Sequence, residues 1–337
     1  YLYYIFIFFL RRYSFNKNIY KLKKKAIFIV DYFAYFNKNK SNRGIYDSVF
    51  WKKLLPLFKN QKINLNFLHI TLDEKRNTFK KNYKILNNFN KQKFVSHNIL
   101  DCQIDFRVFL DVFSNWLLNY LKYQMIKIKY KNSYILNNSL LNNMFTDSFV
   151  GVWSIKNLYF FYLFKNFFKN SEINPNISIY VNEFQGWEKT LLYNLKRLKN
   201  LNQNIYGIQF NPIRAWDLRY SFRVDLKNLH LYPNNIITPY HSSKNALKKN
   251  FSKIKNFNLL ISENLRPLSI KFKSLDFFKK NKILVVGDHD DDSTISLLNF
   301  VNRLSYLYNK ISFEYKPHPA SKINLNDFEN LKNLKVY

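Results

Sequence analysis

With 337 residues, 47% of them hydrophobic and 19% aromatic, the chain can form one large or two medium domains with a buried core, which excludes a miniprotein or a disordered tail. Fifty-four Lys and Arg against 22 Asp and Glu leave a net charge of +32, the balance of a protein with a polyanionic partner. The residues in excess are Lys, Asn, Ile, Phe and Tyr, all read from A/T-rich codons, so genome composition accounts for the skew and a nucleic-acid partner is set aside.

The chain opens on the apolar run Tyr1–Leu10, which ends at Arg11–Arg12, short of the ~20 residues that span a bilayer. It reads as a first core element or the tail of a membrane-contacting helix. No initiator Met is present, so Tyr1 is expected to follow an earlier start. Residues 1–25 form this apolar and basic segment. Ala26–Val30 is then a short apolar stretch ending at Asp31, of the kind buried on both faces of a parallel sheet. Residues 63–69, 177–181, 205–209, 236–238, 259–261, 283–286 and 311–315 read the same way. Between them, helical patterns cover residues 46–58, 105–125, 187–198, 243–251 and 294–307. Strands alternating with helices predict an α/β, Rossmann-like architecture with parallel sheets. The aromatic and basic stretch Leu158–Lys169 fits a core helix with outward lysines better than a membrane-binding face.

Pro267 and the lysines from Lys271 to Lys280 interrupt the rhythm, so residues 26–264 are expected to form a first domain and 265–282 a linker. Residues 283–337 then open a second domain, too short for a complete Rossmann-like unit, and a truncated C-terminus is expected. The single cysteine, Cys102, has no disulfide or CxxC partner, which points to a reducing compartment, most simply the cytoplasm.

Open parallel sheets bind ligands at the carboxyl ends of their strands, so residues there are the candidates. Glu183 follows the 177–181 strand with no other evident role and is the first candidate base. Asp31 competes from the end of the first strand, and Glu188 lies one residue into a helix. Glu183 is expected to work across an interdomain cleft from Lys316-Pro-His318-Pro, where two prolines hold a cation and an imidazole rigidly enough to grip a phosphate. Gln185, Gln209, Arg214, Asp217, Arg219, Tyr220, Glu263 and Arg266 complete the candidate substrate-binding set; arginines beside Trp216 and Tyr220 can hold a phosphate or sugar by forked hydrogen bonds and stacking. The acids Asp288–Asp292 read as a helix cap at Asp292–Ser293 rather than a metal site. His69, His97, His230 and His241 lack metal spacing and read as structural. No Walker, G-x-S-x-G or G-x-G-x-x-G motif is present, against P-loop NTPases, serine hydrolases of that type and NAD enzymes.

Residues 27–32, Ser48 to Trp51 with Leu54–Leu55, and Asn66–His69 resemble the opening of the bacterial surface carbohydrate biosynthesis proteins, glycosyltransferase-like enzymes of the GT-B type. Asn182-Glu183-Phe184-Gln185-Gly186-Trp187-Glu188 is similar to that family's Glu-Asn-Gln-x-Trp-Glu signature. Gly207-x-Gln209, Trp216–Tyr220, Glu263-x-Leu265-Arg266 and Lys316–Pro319 extend the likeness over nearly the whole chain. Phe184 stands where the signature has Asn, and Phe210 where the family has His. The resemblance implies two facing Rossmann-like domains, the first for the acceptor and the second for the donor. It also implies metal-independent sugar transfer from a nucleotide-sugar co-substrate, CMP-linked by likeness of Lys-x-His-Pro to the sialyltransferase His-Pro motif, with no resident cofactor. The acceptor it implies is a glycan or lipid-linked glycan at the anionic inner face of the membrane. A polyol-phosphate (teichoic-acid-type) phosphotransferase and an inactive scaffold of the same fold are the alternatives.

Overall fold

A computed structural model describes residues 20–34, 36–71, 79–130, 138–198, 203–211, 213, 230–251, 254, 257–263, 282–288, 290–318, 323 and 334–336. The chain divides into two compact units, Tyr1–Pro267 and Leu268–Tyr337.

In the first unit, β1 (Ile27–Tyr32) leads through the short helices α1 (Lys38–Asn42) and α2 (Leu54–Asn60) to β2 (Leu65–Ile70), and α3 (Phe79–Phe89) leads to β3 (Val95–Ile99). A 3-10 turn, Leu100–Gln103, precedes the long helix α4 (Phe106–Lys129), then α5 (Ser139–Phe149) and α6 (Val152–Ser171). After these come β4 (Ile177–Val181), α7 (Gly186–Lys196), β5 (Asn204–Ile208), β6 (Asn235–Thr238), α8 (His241–Phe251) and β7 (Asn258–Ile261). All seven strands are parallel in the order β3-β2-β1-β4-β5-β6-β7, a Rossmann-like sheet. The direction of travel across the sheet reverses between β1 and β4, and such a reversal is where open α/β sheets hold their ligands.

The pleat decides what each residue of β1 meets. Ile29 and Asp31, in register with Phe67 and His69 of β2, point to one face; Phe28 and Val30, in register with Ser178 and Tyr180 of β4, point to the other, as does Tyr32. Tyr46, Trp51 and Phe89 cover the first face, while α6 covers the second, its Phe167 and Phe168 packing on Phe28. Both faces being covered explains why these strands are apolar runs rather than alternating ones. In α6 the buried face is aromatic, with Tyr159, Phe164, Phe167 and Phe168, and Lys165 and Lys169 are exposed, so this is a core helix with outward lysines.

Two of the elements that differ from the sequence reading lie around Asp31 and its histidines. The helix expected over 46–58 begins only at Leu54, because the side chains of Tyr46 and Trp51 turn inward to donate to Asp31 and the chain before Leu54 wraps that carboxylate in turns. The strand β3 carries Ser96, His97 and Asn98, too polar to read as a buried strand, yet all three are buried.

The second unit has β8 (Lys282–Val286), α9 (Asp291–Leu307), β9 (Ser312–Lys316) and β10 (Leu334–Val336) in a parallel sheet of order β10-β9-β8. Asp290, rather than Asp292, caps α9: its Oδ2 accepts from the Ser293 N–H at 2.9 Å, and Asp291 and Asp292 fall in the first turn, where negative charge suits the helix dipole.

Candidate functional site

Glu183 sits at the reversal point. It leaves the carboxyl end of β4, and its half-buried carboxylate is held from three sides. Gln185 Nε2 donates to Oε2 at 2.8 Å, and longer contacts come from the Tyr32 hydroxyl to Oε2 at 3.4 Å and from Asn211 Nδ2 to Oε1 at 3.5 Å. Tyr32 is the last residue of β1, so the two strands flanking the reversal bring its hydroxyl and the Glu183 carboxylate together. Tyr32 is itself fixed by the Trp187 indole N–H, which donates to its oxygen at 3.1 Å, and by the edge-on Trp187 ring. Burial, reinforced by the charge of Glu183, drives the Tyr32 hydroxyl far above its ordinary range, so it stays a proton donor beside the carboxylate.

The loop bearing Glu183 is locked by Glu188. Oε1 of Glu188 accepts from the backbone N–H groups of Glu183 at 2.8 Å and Gln185 at 3.1 Å, and Oε2 from that of Phe184 at 3.0 Å. Gln185 is the N-cap of α7 and Glu188 its third residue, so this is the carboxylate half of a capping box extended over three donors. Burial pushes the Glu188 carboxyl up to about 8, against the lowering effect of those donors. Expected among the catalytic carboxylates, Glu188 is 2% exposed with both oxygens turned to the backbone, which makes it a positioning residue. Phe184, between them, has φ 57°, in the left-handed region where Asn and Gly are at ease and a bulky residue is strained. The Asn of the resembled signature falls at this position.

Beneath the loop, Asn182 and Gln209 end the neighbouring strands β4 and β5. Both are buried, and among the described residues neither amide atom of Gln209 nor Nδ2 of Asn182 has a hydrogen-bond partner. Buried amides are nearly always paired, so unused hydrogen-bonding capacity is concentrated at these two strand tips. Gly207 makes their packing possible: a Cβ there would lie 3.0 Å from the Tyr180 hydroxyl and 3.1 Å from Cβ of Asn182.

Asp31, the competing candidate base, belongs to a different environment. It is 0% exposed, and its Oδ2 accepts from Tyr46 Oη and Trp51 Nε1, both at 2.7 Å. Its Oδ1 lies 2.5 Å from His69 Nδ1, and His69 Nε2 lies 2.9 Å from His97 Nδ1. Phe67 stacks on both imidazoles. Burial, and then the neighbouring His69, holds His97 well below the usual imidazole range, so it is neutral. This relay is a core feature closed to solvent, and the structural reading of His69 and His97 agrees with it. Asp31 therefore has no free access to an acceptor hydroxyl, which corrects the expectation that it could serve at a strand rim.

Phe210 is buried against Phe50 and Trp51 as a packing residue. Glu263 is an exposed partner of Lys53 at 3.1 Å, an ion pair of little energetic weight. Arg214, Asp217, Arg219, Tyr220 and Arg266 lie outside the described residues. Lys316 ends β9, and His318 follows it, half-buried; the Gly287 N–H donates to the Lys316 carbonyl at 3.0 Å and ties the carboxyl ends of β8 and β9. Among the described residues no three His, Cys, Asp or Glu side chains gather around one point as a metal site requires. Two cavities of about 910 and 640 Å³ open at the amino ends of the first sheet, beside Ile27 and Ile177 and beside Leu65 and Val95. They lie at the opposite end from Glu183, and the rule for parallel sheets favours the carboxyl end.

Tyr32, Trp187 and Asn182 are uncharged and stand outside the candidate set that the sequence supplies. The available signal was position, since each stands within a residue of a strand end or helix start at the reversal. Neither a family model nor a curated protein matches this chain.

Proposed function

We propose that the chain is a GT-B-type glycosyltransferase-like enzyme of surface polysaccharide biosynthesis, which moves a sugar from a nucleotide-sugar to a hydroxyl of a glycan acceptor. The first unit serves the acceptor and the second the donor. The observation that carries this reading is the carboxylate of Glu183 at the reversal point of a parallel sheet, oriented by Gln185 and Tyr32 on a loop that Glu188 fixes. Glu183 takes the proton of the acceptor hydroxyl as that oxygen bonds to the anomeric carbon. The bond from that carbon to the donor phosphate oxygen breaks, and its electron pair leaves with the phosphate, whose charge Lys316 and His318 meet at the carboxyl end of β9. The likeness of the Glu183–Glu188 and Lys316–Pro319 stretches to the carbohydrate biosynthesis family supports the same reaction.

The test has two arms. CMP-, UDP-, GDP- and CDP-linked sugars are screened for a rise in melting temperature, since a ligand that binds the native state stabilises it. With the donor found, Glu183→Gln should lower turnover by about 100-fold or more while the donor-induced shift is retained, general-base assistance being worth 10²–10⁴. Nearly full activity in Glu183→Gln removes the base assignment, and a chain that binds none of the four nucleotides is a scaffold.

A further inference from the structure

The long helix α4 is apolar on two opposite sides. Val108, Val112, Trp116 and Tyr123 form its buried stripe, with the Trp116 indole N–H donating to the Val150 carbonyl and the Tyr123 hydroxyl bonded to Thr146. At about 100° per residue, Phe106, Leu110, Leu117, Leu121, Met125 and Ile128 recur on the far side of the helix from that stripe. All six are exposed, Met125 by 70% and Ile128 by 78%. An α-helix of 24 residues is about 36 Å long, so the six form an apolar ridge that runs the length of the helix, with Ser114 and Gln124 as its polar members.

Charge identifies what fits the ridge. Arg107, Lys122, Lys127 and Lys129 flank it and are exposed, against Asp111 as the one acid of the helix. By helical position Arg107, Lys122 and Lys129 lie along one border and Lys127 along the other. A second copy of a chain with net charge +32 would bring like-charged borders together, whereas an anionic lipid surface complements them. No helix among the described residues is long and apolar enough to cross a membrane, and α4 carries its charges along its length, so it suits the interface plane.

We propose that α4 is a membrane-docking helix, which lays Phe106, Leu110, Leu117, Leu121, Met125 and Ile128 into the headgroup region of an anionic bilayer while its lysines meet the lipid phosphates. The proposal does not rest on the role of Glu183. It is tested by flotation of the full chain with phosphatidylcholine vesicles, with and without roughly one-third phosphatidylglycerol. The wild type should float with the anionic vesicles, and Leu117→Asp/Leu121→Asp, at exposed positions, should bind them at least about tenfold more weakly, because apolar insertion supplies much of the affinity. Lys122→Glu/Lys127→Glu should lose the preference for anionic over neutral vesicles. Both variants keep residues 1–19, so any difference belongs to α4. Undiminished flotation of the Leu117→Asp/Leu121→Asp protein overturns the proposal. So does a wild type that ignores vesicles but is a dimer by analytical ultracentrifugation which those substitutions dissociate, and that result would assign the ridge to a second copy.

Discussion

Asp31 and Tyr32 are consecutive, yet the pleat of β1 sends them to opposite faces of the sheet, and that one alternation separates a core relay from the candidate site. The same distinction, where a carboxylate points, separates Glu183 from Glu188. In sequence both are acids near the end of a strand; in the fold one keeps a half-buried carboxylate beside Gln185 and Tyr32, and the other spends both oxygens on backbone N–H groups. The sequence marks part of that difference, since Glu188 falls in the first turn of a helix, but the lock on three backbone N–H groups depends on the left-handed turn at Phe184, a residue type that rarely makes one. The role of Glu188 has a pH signature. Its carboxyl is raised in the native state from 4.5 to about 8, so the folded chain holds a proton there that the unfolded chain gives up at lower pH. The stability this contributes is complete below the unfolded value and is lost as the pH rises through the folded one. Thermal melts between about pH 6 and pH 9 should show a fall in melting temperature for the wild type that is distinctly smaller in Glu188→Gln. Parallel curves for the two proteins would show that Glu188 does not titrate in this range.

At the scale of elements, β1, β2 and β4 to β9 were legible because each carries an apolar run; β1, β2 and β4 to β6 are largely buried, whereas β7 and β8 are apolar but mostly exposed. The strand β3 was not, since what buries it lies far away in sequence: Asn98 Oδ1 accepts from the Tyr20 N–H, and His97 meets His69. The helix α3, with the sequence FKKNYKILNNF, and the helix α5 were hidden by their asparagines, weak helix formers that tertiary packing overrides here. The chain has only five glycines, and each marks a close approach or a left-handed backbone. Gly207 gives the sharpest prediction of this kind. Gly207→Ala places a methyl group against the Tyr180 ring and Cβ of Asn182, the latter with no rotamer to move. The substitution should cost about 1–2 kcal/mol, overpacking outweighing the entropic gain of removing a strand glycine. Chemical denaturation measures it, and an unchanged or higher midpoint would mean that β4 and β5 have slack at this point.

On the scale of the whole molecule, the alternation of strands and helices was enough to foresee an α/β chain, and the break near Pro267 coincides with the boundary between two compact units. The net charge of +32 was discounted as a sign of nucleic-acid binding, but it has physical consequences wherever it comes from. So many like charges repel one another in the compact state and less so in the expanded one, which lowers the stability of the native chain. Added salt screens that repulsion, the Debye length shrinking from about 30 Å at 0.01 M to about 8 Å at 0.15 M. The melting temperature should therefore rise with NaCl over this range, each 1 kcal/mol gained being worth about 2–4 °C for a domain of 150–250 residues. The same salt should weaken flotation on anionic vesicles, because the lysines bordering α4 act on the lipid through the field that the salt screens. One titration thus moves two observables in opposite directions, folding upward and docking downward. A melting temperature that stays flat or falls with NaCl would show that the basic side chains are too far apart or too well solvated to strain the fold.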